Sequence, residues 1–341
     1  MRQRLTSFLF LLLALASASA QNSRYIAAVD EDVPAPGQFV NTMPEATAND
    51  TPETMAQKCT QQLADNAGEL VTLGAYGGYI TFHFDHPVVN VAGQMDFFIA
   101  GNANNGGSEA GIVMVSQDTN GNGLPDDAWY DLAGSADEDS IGKVTYGYSI
   151  TYKKQGELQN VPWSDSLEGT GKVPRNGFHS QEYFPLWLGD ELTFSGTLLP
   201  TNARNTSATA QNWLLSSLRY GYVDNVPNSD SVANSFNLDW AVMPVSREPV
   251  NLTHADFIRV YTALNQVCGW IGETSTEISG AEDLHLEASL AWADGISELD
   301  NSTISQFDKC FDLQGRQRSM FNVQRSTSPG LYIKNGKKFI Y

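Results

Sequence analysis

Gly111-Ile-Val-Met-Val-Ser-Gln-Asp-Thr-Asn-Gly-Asn-Gly-Leu-Pro-Asp-Asp-Ala-Trp-Tyr130 is the stretch on which the fold turns. Its first six residues are rich in β-branched and apolar side chains and end at polar turn formers, which predicts a strand over 111–116. The Asn- and Gly-rich decapeptide that follows has no helical period on either side, so it predicts a loop between strands. The same kind of run recurs at Val71–Gly74, Tyr79–Phe84, Met95–Ala100, Gly147–Tyr152, Glu191–Gly196 and Phe257–Ala263, each bounded by Gly, Pro, Asn or Asp. No amphipathic helix separates these runs. The pattern therefore predicts an all-β chain, an antiparallel β-sandwich of jelly-roll-like kind with long loops, plus a small C-terminal β tail.

The ends of the chain carry addresses. Arg2 and Arg4 precede the apolar run Phe8 to Ala16 and the small residues Ala18-Ser19-Ala20, which predicts a signal peptide over residues 1–20 and an exported mature chain from Gln21. Residues 21–66 are polar and rich in Pro, Thr, Asp and Asn, an arm with helical potential only near Thr54 to Ala64. The sandwich is expected over 67–288, with long loops through 155–237 that are rich in Trp, Pro, Asn and Ser. A small, acidic connector occupies 289–307. Residues 308–341 then turn basic, with Lys309, Arg316, Arg318, Arg325, Lys334, Lys337 and Lys338 against Asp308 and Asp312. No transmembrane segment of roughly 20 apolar residues is expected in the mature chain.

The formal net charge is −19. Removal of Arg2 and Arg4 with the leader leaves 18 basic against 39 acidic residues, a net of −21, which repels phosphate backbones and excludes nucleic acid as a partner. Cys59, Cys268 and Cys310 are too few and too dispersed for a disulfide framework or a clustered zinc site.

Chemistry concentrates in the decapeptide. Asp118, Asn120 and Asn122 place oxygen side chains at alternate positions, Gly123 permits a sharp turn, the Leu124 carbonyl follows, and Asp126 or Asp127 closes the shell. Six to eight hard oxygen ligands are what calcium takes, so Ca2+ is the expected, structural cofactor. A bare Asn-Gly turn is the alternative. Trp129 stands where a helix-loop-helix hand carries its bidentate Glu, so a true hand is excluded.

Other motifs are weaker. His83 and His86 lie three apart on an expected strand and so point to opposite faces. There is no Gly-x-Ser-x-Gly elbow, His-Glu-x-x-His pair or phosphate loop, which argues against an enzyme. Among the aromatics of the loop-rich region, Trp163, Tyr183 and Trp187 are the candidate ligand-binding residues, since Trp and Tyr supply large rigid contact area for sugars or planar ligands.

Gly77-Gly-Tyr-Ile-Thr-Phe-His-Phe-Asp-His-Pro-Val-Val-Asn90 and Gly111 to Gly134 resemble a cell-surface protein family of gut and oral Bacteroidetes. The likeness continues through Pro174 to Ser180, Phe194 to Pro200, Asn237 to Ala241 and Gly269 to Glu277, covering about residues 38–288. The PKD modules of longer members are not evident here. Some relatives lie beside vitamin B12 uptake components of the outer membrane, so the resemblance implies corrinoid capture as one function. Cys310-Phe-Asp-Leu-Gln-Gly-Arg316 and Pro329-Gly-Leu-Tyr-Ile-Lys-Asn-Gly-Lys-Lys-Phe-Ile340 resemble the short sorting tail of the type IX secretion system. The tail then implies the secretion machinery as a partner. Asp139-Ser-Ile141, Asp165-Ser-Leu167 and Asp230-Ser-Val232 resemble Bacteroidetes O-glycosylation sequons.

The expectation is a secreted or cell-surface, calcium-braced ligand-binding protein, delivered through the periplasm, that captures a small molecule or glycan, with a corrinoid or a glycan as the nutrient. A glycan-acting hydrolase and a structural surface protein are the alternatives. Two acids facing each other across an aromatic cleft would favour the hydrolase, and an aromatic cleft without them the binder.

Overall fold

A computed structural model describes residues 22–139, 142–288 and 290, together with four short backbone strands beyond them. The expected signal peptide lies outside the described residues, as do most of the connector and the 140–141 part of the first sequon. The chain divides into two units, Met1–Ala288 and Ser289–Tyr341.

In the first unit the run Gly111–Ser116 sits inside a six-stranded antiparallel sheet. Its order is Ala28–Val33, Tyr79–His83, Phe257–Thr262, Gly111–Ser116, Trp129–Leu132 and Ala241–Val242. Alternation along the central strands explains the layers. Ile80 and Phe82, Val113 and Val115, and Ile258 and Val260 fall on one face and are buried in a single apolar core. That core also takes Phe97, Ile99, Phe236 and Ala281 of a three-stranded sheet, Ser235–Phe236, Phe97–Ala100 and Gly280–Asp283. The opposite face presents Ile112 and Tyr261, which cluster with Leu199, Tyr222 and Leu264, and Tyr79, which also packs against a further set of apolar residues. Prominent among these are Tyr148, Ile150, Tyr152 and Phe194, from the four-stranded sheet ordered Thr170–Val173, Val161–Asp165, Thr145–Lys153 and Glu191–Leu198. The fold is thus all-β, sheet upon sheet, as the pattern of short runs predicts.

The arm is more ordered than its composition suggests. Ala28–Val33 forms the edge of the main sheet, with a register shift between Val29 and Glu31. Its acids hide the alternation, yet they suit an edge strand, where charge discourages pairing with a second chain. Glu31 accepts from the Arg259 guanidinium at 2.5 Å, and Asp30 meets His83 Nδ1 at 2.9 Å. The helix Pro52–Leu63 begins at a capping box in which Thr51 and Thr54 satisfy each other's backbone amides, with Pro52 in the first turn. Met55, Ala56, Cys59 and Leu63 form its buried face, and each large apolar side chain so buried contributes about 1.5–3 kcal/mol.

The histidines need correction. The strand ends at His83, so the two rings are not opposed across one strand; His86 is held between Asp85 and Asp283 at 2.6 and 2.7 Å. Cys59 and Cys268 are buried free thiols. No helix among the described residues is long and apolar enough to cross a membrane.

The second unit holds a four-stranded antiparallel sheet in the order Gln317–Arg318, Cys310–Phe311, Leu331–Lys334 and Lys337–Ile340. Leu331 pairs with Ile340 and Lys334 with Lys337, which leaves Asn335-Gly336 between the last two strands, the dipeptide preferred for a two-residue turn. Because the strands pair among themselves, deletion of 308–341 is expected to leave the melting temperature of the first unit unchanged. Differential scanning fluorimetry of the truncated chain checks this.

Candidate functional site

The decapeptide connects two neighbouring strands of the main sheet, with Ser116 paired to Trp129. Asp118 organises it. One of its oxygens accepts from the amides of Gly121 (2.8 Å) and Asn122 (3.1 Å), and the other from Gly123 (2.8 Å). Gly121 and Gly123 both have φ of 72°, a backbone state that a side chain would strain. Asn120 and Asn122 each donate to a different oxygen of Asp126 at 3.0 Å, and Asn122 accepts from the Leu124 amide. Thr119 donates to one oxygen of Asp127, whose other oxygen is buried without a partner. Asp118, Asn120, Asn122, Leu124, Asp126 and Asp127 therefore come together in one loop. The Asp118 amide is anchored to Asp256 at 2.7 Å, a residue just ahead of the Phe257–Thr262 strand that sequence spacing could not connect to the loop.

The three candidate aromatics have different fates. Tyr183 is fully buried, and its hydroxyl accepts from the Asn176 amide at 2.9 Å and donates to the His179 carbonyl at 3.2 Å. It shapes the 176–179 turn from behind and does not offer a face to a ligand. Trp187 is half-buried, with its Nε1 enclosed and unpartnered. Trp163 is half-buried and lines a cavity of about 220 Å³.

A larger cavity, about 580 Å³, lies elsewhere on the first unit. Its walls come from Asn102 to Glu109, Phe178 and His179, Trp213 to Leu215, and Trp270 with Ile271. Phe178 is 79% exposed and Trp270 is 56% exposed, which is unusual for rings of this size. Both lie on constrained loops. Trp270 Nε1 donates to the Gln211 carbonyl at 2.9 Å, and Trp213 Nε1 donates to the Gln211 side chain at 2.9 Å. Gln38 donates to the Ile271 carbonyl at 2.7 Å and accepts from Asn176 Nδ2 at 3.1 Å, so a residue of the arm ties the loops carrying Trp270 and Phe178 together. Nothing in the sequence signalled Gln38. Trp213 and Trp270 could be found only as two more tryptophans in Asn- and Gly-rich surroundings.

Behind this cavity lies an acid cluster. Glu109 lines the cavity wall, and its carboxylate oxygens come within 4.8 Å of those of buried Asp224 and Glu277. Asp224 accepts from the amides of Asn102 at 2.7 Å and Glu277 at 3.0 Å, and Glu277 accepts from the Thr72 hydroxyl at 2.8 Å. Burial is the main reason all three carboxyls titrate high. Asp224 is pushed up to about 7, and Glu277 to about 8, with the charge of Asp224 adding to the effect of burial. Glu109 is raised by burial first and by both neighbours next. The three acids sit far apart in sequence, Glu109 and Asp224 in loops and Glu277 on the strand Glu277–Ile278.

No protein-family model and no curated protein matches this chain.

Proposed function

We propose that this is an exported, cell-surface ligand-binding protein of the bacterial envelope, serving capture of a nutrient such as a corrinoid or a glycan. The observation that carries the reading is the 580 Å³ cavity with Phe178 and Trp270 exposed at its walls, a volume within the range of about 300–1,000 Å³ that small-molecule sites occupy. Flat apolar faces among Asn102, Asn104 and Asn105 offer stacking surface beside amide donors and acceptors. Glu109 is the one acid among the described residues that line this cavity, whereas two-carboxylate glycoside hydrolysis needs a pair flanking the bond. That supports binding over hydrolysis.

In this reading calcium is structural. The orphaned oxygen of Asp127 and the convergence of Asp118, Asn120, Asn122 and Asp126 support a hard cation in the loop, with the Leu124 carbonyl as a further ligand. Its role is to brace the turn between two sheet strands. The tail of 308–341 directs the chain through the secretion machinery; its deletion strands the protein in the periplasm, and surface display of the truncated chain, read by protease accessibility on whole cells, would sink that assignment.

A thermal-shift screen of the mature protein against corrinoids and dietary or host glycans, with and without calcium, tests the ligand. Substitution of Trp270 by Ala is expected to lower stability by no more than about 1.5 kcal/mol, the worth of its one side-chain hydrogen bond to the Gln211 carbonyl, while removing the shift caused by the ligand. Loss of stability without loss of binding would make Trp270 a packing residue.

A further inference from the structure

Charge narrows what the larger cavity can hold. Among the described residues that line it, Glu109 is the one acid, and neither Lys nor Arg is present. His179, the other titratable side chain on the wall, packs edge-on against Phe39 with ring centroids 4.7 Å apart. Glu109 is half-buried, and its Oε1 accepts from the Ser275 amide at 3.3 Å. Asp224 and Glu277 stand behind it, one oxygen of each acid within 4.8 Å of the others. Among the described residues none of the three forms an ion pair with a basic side chain. Burial first, and the charges of Glu277 and Asp224 next, oppose ionisation of Glu109. A positive group beside it counters that repulsion, which a neutral hydroxyl cannot.

The two inner acids are not an open metal cage. Asp224 gives one oxygen to the Asn102 amide and the other to the Glu277 amide, and Glu277 Oε1 accepts from the Thr72 hydroxyl, so an ion there would compete with three donors already in place. The bond to Asn102 instead fixes the wall that Asn102, Asn104 and Asn105 share with Glu109. The rings across this wall suit a cation as well as a sugar. An organic ammonium is attracted to an aromatic face, to Trp above all, and the same flat faces take the C–H side of a pyranose. Trp213 and Trp270 are held by their Nε1 groups on Gln211, and Phe178 stands open beside them.

We propose that the larger cavity selects glycans that carry a free, protonated amine: amino sugars whose ammonium lies at Glu109, whose ring faces stack on Trp270 and Phe178, and whose hydroxyls meet the amides of Asn102, Asn104 and Asn105. The inference rests on the ligand-binding reading and deepens it by naming the ligand class. Acidic sugars are excluded, since they would meet Glu109 with no basic residue on the described wall to offset it.

The test titrates three tetrasaccharides of the same linkage into the mature protein, with calcium and at a pH where the sugar amine is protonated: the tetramer of glucosamine, the tetramer of N-acetylglucosamine, and cellotetraose. The glucosamine tetramer should bind about tenfold or more tightly than the other two. Glu109→Gln keeps an acceptor for the Ser275 amide and removes a carboxyl that its neighbours repel, so it should fold, and it should bring the three affinities together. Trp270→Ala should weaken binding of the glucosamine tetramer. Equal or tighter binding of the acetylated or the neutral tetramer to the wild type overturns the amine and leaves the ligand-binding reading in place. Absence of binding by all three overturns the proposal, and the ligand-binding reading falls with it only if corrinoids and other glycans also fail to bind. A preference that survives in Glu109→Gln, or spermidine binding as tightly as the glucosamine tetramer, would show attraction by the net charge alone and overturn the proposal as well.

Discussion

Calcium is expected to raise the melting temperature of the wild-type protein, and Asp118→Ala to remove most of that rise. Asp118 is the residue whose two oxygens fix the amides of Gly121, Asn122 and Gly123, so its loss takes away both the loop's shape and a ligand. Three carboxylates in ten residues repel one another unless a cation or a donor lies between them. In the loop, Asn120 and Asn122 offer their amide nitrogens to Asp126. Rotation of either amide by half a turn would present its oxygen instead, and calcium can take that oxygen together with Asp126. A ligand that binds only the folded state adds RT ln(1 + [L]/Kd), about 2.7 kcal/mol at one hundred times Kd, or roughly 5 °C in a unit of this size. The neutral control is Asp190, 87% exposed at the side chain. Asp137 would be a poor control, because Arg247 links it to buried Asp131 with contacts of 2.6 Å to each. Melting curves in excess chelator and in millimolar calcium decide the matter. Identical curves, with Asp118→Ala melting like the parent, would reduce the loop to a turn.

Stability should fall as pH rises from about 5 to about 8. Glu277, Asp224 and Glu273 are raised by burial to about 8, 7 and 7, well above the carboxyl range of an unfolded chain. Over that interval the folded protein binds more protons than the unfolded one. Their contribution is complete below the unfolded values and is lost as pH climbs through the folded ones. A single such group changes stability by about 1.4 kcal/mol per pH unit between its two pKa values. His83 and His86 work in the same direction. Asp30 raises His83 through a hydrogen bond that outweighs burial; for His86 burial is the largest influence and lowers its pKa, but Asp85 and Asp283 together overcome it. Asp50, lowered chiefly by Lys58, opposes them only in acid, below this interval. Urea unfolding at several pH values measures the slope, and Glu277→Gln should flatten it, since the amide can still accept from Thr72. A slope that is flat or rising in the wild type would mean that these carboxyls are charged in the folded state.

The short β-branched runs were legible because burial on both faces of a central strand leaves a mark on sequence: every strand expected from Val71 to Phe257 exists, with ends shifted by a few residues. Tyr79–Phe84 stops one residue early, and Gly147–Tyr152 extends to Thr145–Lys153. Ala28–Val33 was not legible, because an edge strand carrying Asp30, Glu31 and Asp32 reads as a polar arm. Trp129–Leu132 was not legible for a related reason: it is short, follows the Asn- and Gly-rich loop directly, and carries Asp131 within its apolar run. The hydrogen-bonded loop of Asp118 to Asp127 could be read because its residues are contiguous. The cavity could not, because Glu109, Phe178, Trp213 and Trp270 meet only through tertiary pairing. Tyr183 shows the limit of composition: an aromatic in a loop-rich region was as suited to a core, and its hydroxyl found partners inside it.

The central claim, that the aromatic-walled cavity binds a ligand, is tested most directly by isothermal titration of corrinoids and of glycans into the wild-type protein and into Phe178→Ala/Trp270→Ala, both with calcium. The account predicts saturable one-site binding of at least one of these ligands to the wild type and affinity lower by about tenfold or more in the double variant, whose melting temperature stays close to that of the parent. Equal affinity in the two proteins, or no binding of any corrinoid or glycan to the wild type, would contradict it.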